Sequence, residues 1–291
     1  RMTYAALGSD TGGSIRLPAA ACGVTGIKAT QGRVSRYGAM PLSFSHDNVG
    51  PLCRTARDCA RIMSVIAGHD PNDPTSSREP VPDYESALTG AVAGLRVGVP
   101  RRLLGAGVDD GVRAAFERSL ALLVGLGCVL VDLDLPHADA GIATYYLVAT
   151  AEASANLQRY DGVRYGLRAP LPPGHGLDDL YAASRGAGFG PEVKRRILLG
   201  TFALSAGYHD AFYRKAAEVR RRVADDFDAA WLRCDAVALP TSPVPAWPLG
   251  ATTEPLAMYQ MDVFTVPPSL AGLPALNVPM PVGDGLPAGL Q

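Results

Sequence analysis

Gly8-Ser9-Asp10-Thr11-Gly12-Gly13-Ser14-Ile15-Arg16 sets a serine directly behind two adjacent glycines, in a segment with no room for bulk. Glycine lacks a Cβ, so the backbone at Gly12 and Gly13 can approach a ligand closely and turn its amides toward one point. A nest of that kind is how an oxyanion hole is built. A hydroxyl at Ser14, at the end of the nest, is placed to attack a carbonyl while neighbouring N–H groups hold the developing negative charge. The same residue types also make an ordinary loop, because Gly, Ser and Asp are turn formers. Two other glycine motifs are excluded by spacing. A phosphate loop begun at Gly8 reaches Gly13 and then meets Ser14 where its lysine belongs. A nucleophile elbow fails because Arg16 stands in place of its last glycine.

The sequel decides against the plain loop. It runs Leu17-Pro18-Ala19-Ala20-Ala21-Cys22-Gly23-Val24-Thr25-Gly26-Ile27-Lys28-Ala29-Thr30-Gln31-Gly32-Arg33-Val34-Ser35. Together with the opening run it closely resembles the amidase signature family, whose members cleave amides with a Ser-Ser-Lys triad. The resemblance implies an α/β fold with a mixed central sheet covered by helices on both faces, as a single domain over residues 1–291. It also implies that Ser14 is the nucleophile and that the amides of Thr11, Gly12, Gly13 and Ser14 form the oxyanion hole. Ala29 departs from the proline of many members, which reads as a local change in backbone stiffness.

Lys28, Lys194 and Lys215 are the only lysines. The family places the segment of Lys28 outside its triad, so Lys28 is expected to be a structural or surface residue. The catalytic lysine and second serine are then expected upstream of Arg1. The Gly285-Leu286-Pro287 to Gly289-Leu290-Gln291 segment resembles a core strand that the family follows with more chain. The domain is therefore expected to be incomplete at both ends. An inactive homologue that has lost the triad is the alternative reading.

Composition excludes several classes. The 291 residues are 47% apolar and 19% charged, the balance of a soluble globular protein large enough for a full core. A formal net charge of −1 gives no global attraction to polyanions. No run of about 18 apolar residues appears, which argues against a membrane span. Cys22, Cys53, Cys59, Cys128 and Cys234 are scattered without a C-x-x-C pair, so they suggest neither a disulfide framework nor a zinc site, but buried thiols in a reducing cytosol. No metal site is expected. His46-Asp47 is the one His–acid pair of note beside Ser14, but sequence neighbours are poorly placed to act as base and orienter of one triad.

Along the chain, Ala56, Cys59, Ala60, Met63, Ile66 and Ala67 form one helical face, opened at Thr55 and stopped by Gly68. Residues 95–100 read as a buried strand, 109–126 as a helix and 128–133 as a second strand, a βαβ spacing. Residues 144–160 and 191–231 read as strongly helical, with Pro191 and Glu192 suited to a first turn. The Gly- and Pro-rich residues 162–190 between them read as a surface excursion. Residues 235–239 read as a short strand.

The second half narrows the resemblance. Glu152-Ala153-Ser154-Ala155-Asn156-Leu157, Tyr160-Asp161-Gly162-Val163-Arg164-Tyr165-Gly166, Gly188-Phe189-Gly190-Pro191-Glu192-Val193-Lys194-Arg195-Arg196-Ile197 and Met258-Tyr259-Gln260-Met261-Asp262 look like the A subunits of tRNA-dependent amidotransferases. That implies a cytoplasmic glutaminase with no cofactor in this chain. ATP and Mg²⁺ would act in a partner B subunit, the C subunit would bridge the two, and tRNA would be met mainly through the partner. By the same resemblance Tyr145, Arg196 and Asp262 hold glutamine. Each has a plain structural reading as well: Tyr145 beside Tyr146 as core, Arg195-Arg196 as a solvated helix face, Asp262 as a helix cap. Pro41-Leu42-Ser43-Phe44-Ser45-His46-Asp47-Asn48-Val49-Gly50-Pro51 is closer to stand-alone amidases, which act on small carboxylic amides.

Overall fold

A computed structural model describes residues 3–105, 107–251, 254–282 and 285–291. The described chain clusters into two compact units, one of residues 1–39, 46–142 and 219–291 and one of residues 40–45 and 143–218.

The first unit is built on strands. β1 (Ala5–Asp10), β2 (Thr25–Lys28), β3 (Asn48–Cys53), β7 (Ala275–Pro279) and β8 (Gly289–Leu290) form an antiparallel sheet in the order β1-β3-β2-β7-β8. Parallel strands β4 (Arg96–Val99), β5 (Val129–Asp132) and β6 (Ala236–Val237) form a second, ordered β5-β4-β6. A seam joins the two. Leu239 and Gln291 exchange both main-chain hydrogen bonds (3.0 and 2.7 Å), and Thr241 N donates to Gly289 O (2.7 Å). The result is the mixed sheet expected from the sequence.

Helices cover both of its faces because strand side chains alternate. A Cβ at Gly26 would lie 2.8 Å from Ala19 Cβ, so that face of β2 is pressed against α1 (Arg16–Ala21). The next residue, Ile27, packs with Val49 against Met63 and Ile66 of α2 (Ala56–Ile66) on the other face. Thr55 caps α2 by accepting from Asp58 N (3.1 Å), as its position before the apolar face implies. The expected βαβ unit is present: α3 (Asp110–Gly125) connects parallel β4 and β5, with Asp109 as its N-cap. Phe116, Leu120 and Val112 of α3 bury against Val97 and Val99.

The second unit is helical. It contains most of α4 (Gly141–Leu157), then α5 (Leu177–Gly188) and α6 (Pro191–Leu204), and the start of α7 (Lys215–Trp231). Four sequence expectations need correction, the first that all five cysteines are buried: Cys22, which follows α1, is exposed. The excursion over 162–190 holds a real helix, α5, whose start is fixed by Asp179 accepting from Gly176 N (2.9 Å). The helical run over 191–231 is interrupted after Leu204. Gly207 takes φ +86°, and a π-helical turn over Asp210–Arg214 leads into α7. The strand expected over 235–239 is reduced to Ala236–Val237 before the seam. Two short helices, α8 (Pro255–Gln260) and α9 (Val266–Leu270), return the chain to the first unit's sheet.

Candidate active site

β1 ends at Asp10, opposite Asn48 of β3, and the chain leaves the sheet edge in a tight turn that ends in α1. The turn is closed from within. Asp10 and Arg16 are wholly buried and paired, Arg16 Nη2 to Asp10 Oδ1 at 2.9 Å and Nε to Oδ2 at 3.0 Å. Asp10 Oδ2 also accepts from the amides of Ile15 (3.2 Å) and Arg16 (3.4 Å). Burial alone would raise the Asp10 carboxyl. The charge and hydrogen bond of Arg16, with the charge of Lys28, outweigh it and hold the carboxyl below its usual range.

Between those two ends the amides of Thr11, Gly12, Gly13 and Ser14 make no hydrogen bond among the described residues. Buried main-chain donors are nearly always satisfied, so consecutive open amides in a turn whose Thr11, Gly12 and Gly13 are buried are unusual. Ser14 alone in the turn is exposed. The turn has no slack for bulk: a Cβ on Gly13 would overlap Thr265 Oγ1 and stand 2.9 Å from Thr265 Cβ. Thr11 is pinned through its side chain, Oγ1 donating to Asp47 Oδ1 at 2.8 Å.

That bond bears on the Ser14/His46/Asp47 triad, because it engages Asp47 with the turn itself. Burial, followed by the charges of Arg220 and Lys28, pushes the His46 imidazole down to about 3. A base that weak accepts little from a serine near neutrality. Lys28 is wholly buried, and its Nζ donates to Leu273 O (2.8 Å). Burial first, then the charge of Arg16, lowers it to about 8 even though Asp10 pulls the other way. Of the two expected placements, structural or surface, the surface one is wrong. Lys194 Nζ is taken by Gly186 O in the second unit.

Asp262 lies in the first unit between α8 and α9. Its carbonyl accepts from Thr265 N (3.1 Å), Val266 N (2.9 Å) and Thr265 Oγ1 (3.2 Å). Asp262 is thus tied to Thr265, the residue wedged against Gly13. In the second unit, Tyr145 is 3% exposed on α4 and meets Tyr146 edge to face at 5.1 Å. The Arg196 guanidinium lies over the Tyr146 ring at 5.7 Å, and its Nε donates to Glu192 Oε1 (2.9 Å). Burial opposes the Arg196 charge. The Glu192 hydrogen bond overcomes it, aided by the nearby Tyr145 and Tyr146, and holds the guanidinium above its usual range. Glu192 also pairs with Arg195. Arg196 is the less solvated of the two, 25% exposed against 43%, so the solvated-face reading suits Arg195 better.

An exposed hydroxyl at the end of a row of open amides has the make-up that serine acyl transfer requires. A family model described as Amidase matches residues 1–291, and the chain belongs to that family. It is 54% identical over 288 residues to the A subunit of the glutamyl-tRNA(Gln) amidotransferase of Roseiflexus castenholzii, covering 99% of this chain and 58% of that protein. The crystal structure of the A subunit of the glutamyl-tRNA(Gln) amidotransferase from Thermotoga maritima is similar with TM-score 0.80 at 41% identity, over 99% of this chain and 58% of that one. A native peptide amidase from Stenotrophomonas maltophilia matches at TM-score 0.74 and 33% identity, over 99% and 58%. The chain therefore spans about 58% of the length of the curated relatives it matches.

The sequence alone assigns no role to Asp10, Arg16 or Thr265. The signal available was an acid and a base six residues apart, flanking a Gly-Gly turn that must be closed. Thr265 carries no comparable signal, since it meets Gly13 only through tertiary packing.

Proposed function

We propose that this chain is the catalytic core of a glutamine-hydrolysing subunit of a tRNA-dependent amidotransferase. Ser14 attacks the side-chain amide carbon of glutamine, and amides among those of Thr11, Gly12, Gly13 and Ser14 hold the oxyanion. Ammonia leaves, taking a proton, and water then releases glutamate from the Ser14 ester. The proton acceptor is the lysine–serine pair of the family, supplied by residues other than the three lysines here. Free glutamine carries a carboxylate and an ammonium group, so a selective pocket needs a cation for the first and an acid for the second. Arg196, kept charged and steadied by Glu192, supplies the first, Asp262 the second, and Tyr145 fixes orientation. ATP and Mg²⁺ act in the B subunit, the C subunit bridges, and tRNA is met mainly through the partner, which suits a net charge of −1. Among the described residues no helix is long and apolar enough to cross a membrane, and a cytoplasmic complex is the setting this reading requires.

The observation that carries the choice of this class is the 54% identity, over 99% of the chain, to relatives that bear that name. A stand-alone amidase acting on small carboxylic amides is the second reading, favoured by the sequence of residues 41–51. Its segment 43–45 is held by Glu152, which accepts from Ser43 Oγ (2.7 Å) and from Ser45 N (3.0 Å) and Oγ (2.6 Å). Steady-state hydrolysis of glutamine against a simple uncharged amide, by the full-length protein, separates the two. Efficient use of the simple amide with no use of glutamine decides for the second reading.

A further inference from the structure

The Arg16 guanidinium has five N–H donors, and all five are used. Nε and one Nη2 hydrogen go to Asp10, and the other Nη2 hydrogen goes to Ser269 Oγ (2.8 Å). Nη1 donates to Thr265 O (2.9 Å) and to Gln291 Oε1. One fully buried cation thus joins the end of β1, which bears the nucleophile turn, to Thr265 and α9, which follow Asp262.

Gln291 completes that junction from the sheet. Its amide and carbonyl are both bonded to Leu239 at the seam, so the direction in which its side chain leaves is fixed. Its Oε1 accepts from Arg16, and its Nε2 donates to Phe264 O (2.9 Å). Phe264 and Thr265 directly follow Asp262-Val263. The side chain therefore reads both partners at once: the arginine that closes the Ser14 turn and the segment that leads from Asp262.

We propose that Gln291 is a positioning residue for catalysis, setting the Ser14 turn against the 262–265 segment through Arg16. The proposal rests on Ser14 as nucleophile and does not need glutamine to be the substrate. A guanidinium that loses one acceptor in a buried site seeks another, and the turn and the Thr265 wedge shift with it. Displacements of about 1 Å at a reacting centre reduce turnover on the order of 100-fold.

The test uses the full-length protein with Gln291→Met, which keeps the length and removes both side-chain hydrogen bonds, and Gln291→Glu, which keeps the acceptor for Arg16. The expected result is a fall in kcat of about 10- to 100-fold for Gln291→Met on glutamine and on a simple uncharged amide alike. KM for the simple amide changes far less, and Gln291→Glu restores most of kcat. A fluorophosphonate that phosphonylates the active serine should label Gln291→Met more slowly by a similar factor. Unchanged kcat and labelling in folded Gln291→Met overturns the proposal, as does Gln291→Glu losing as much as Gln291→Met. Should Gln291→Met not fold, Ser269→Ala removes another acceptor of the same guanidinium, and a kcat equal to wild type then overturns it. If wild type ignores glutamine but turns over the simple amide, the glutaminase reading fails while these arms still decide the role of Gln291.

Discussion

Replacing Gly13 with alanine tests the tightest packing in the site. The added methyl carbon would overlap Thr265 Oγ1 and lie 2.9 Å from Thr265 Cβ and 3.2 Å from Leu17 Cδ1. Carbon atoms rest about 3.5–4.0 Å apart, so Thr265 or the turn must give by more than half an ångström. Overpacking of this kind costs about 1–3 kcal/mol. The turn also carries the open amides, and losing one oxyanion donor reduces kcat on the order of 100- to 1,000-fold. Gly13→Ala should therefore lose activity far out of proportion to its stability. Thr265 is the N-cap of α9, where glycine is tolerated within a few tenths of a kcal/mol, so Thr265→Gly clears both contacts at small cost to the helix. In a double-mutant cycle on unfolding free energy and kcat, Gly13→Ala/Thr265→Gly should recover part of both losses, with a coupling of about 1 kcal/mol or more. Turnover by Gly13→Ala within a few-fold of wild type, or an additive cycle, would refute the reasoning.

Ser14→Ala should abolish amide hydrolysis while shifting stability by no more than about 0.5 kcal/mol, because the side chain is exposed; ordinary turnover, measured by ammonia release, sinks Ser14 as nucleophile. Arg196→Ala and Asp262→Ala should each raise KM for glutamine by roughly 10- to 100-fold, the worth of one charge-assisted contact, and largely spare a simple uncharged amide. Equal losses on both substrates favour the stand-alone reading. Lys28 bears on pH: its folded value near 8 lies below the ordinary 10.5, so the native state releases this proton first. Its contribution to stability should therefore rise with pH from about 8 to 10.5, by up to about 1.4 kcal/mol per unit, and be least below 8. Urea midpoints against pH should show that rise in wild type and a flatter curve in Lys28→Met; parallel curves contradict it.

Local signals carried the fold a long way. Thr55 before an apolar helical face, Asp109 before α3 and the strand–helix–strand spacing of residues 95–133 are written in neighbours along the chain, and those elements stand where expected. Helix α5 was hidden because its Gly186 and Gly188 suggest a loop, while its start depends on a carboxylate returning to Gly176. The break after Leu204 was hidden because one glycine, Gly207, outweighs the helix formers on either side. In the site, Ser14 and its glycines are contiguous and could be read directly. The residues that hold them could not. Thr265, Ser269 and Gln291 reach Arg16 from 249, 253 and 275 residues away, so only the folded chain brings them together. Asp47 stands out in the sequence beside His46, and only the folded chain shows that it also accepts from Thr11, 36 residues away.

The central claim is that Ser14 becomes acylated by glutamine. Incubating the full-length protein with glutamine, quenching in acid during turnover and mapping its peptides by mass spectrometry measures this directly. A glutamyl ester is expected on the peptide that contains Ser14, absent from Ser14→Ala. A glutamyl group on another residue, or ammonia release that continues in Ser14→Ala, would contradict it.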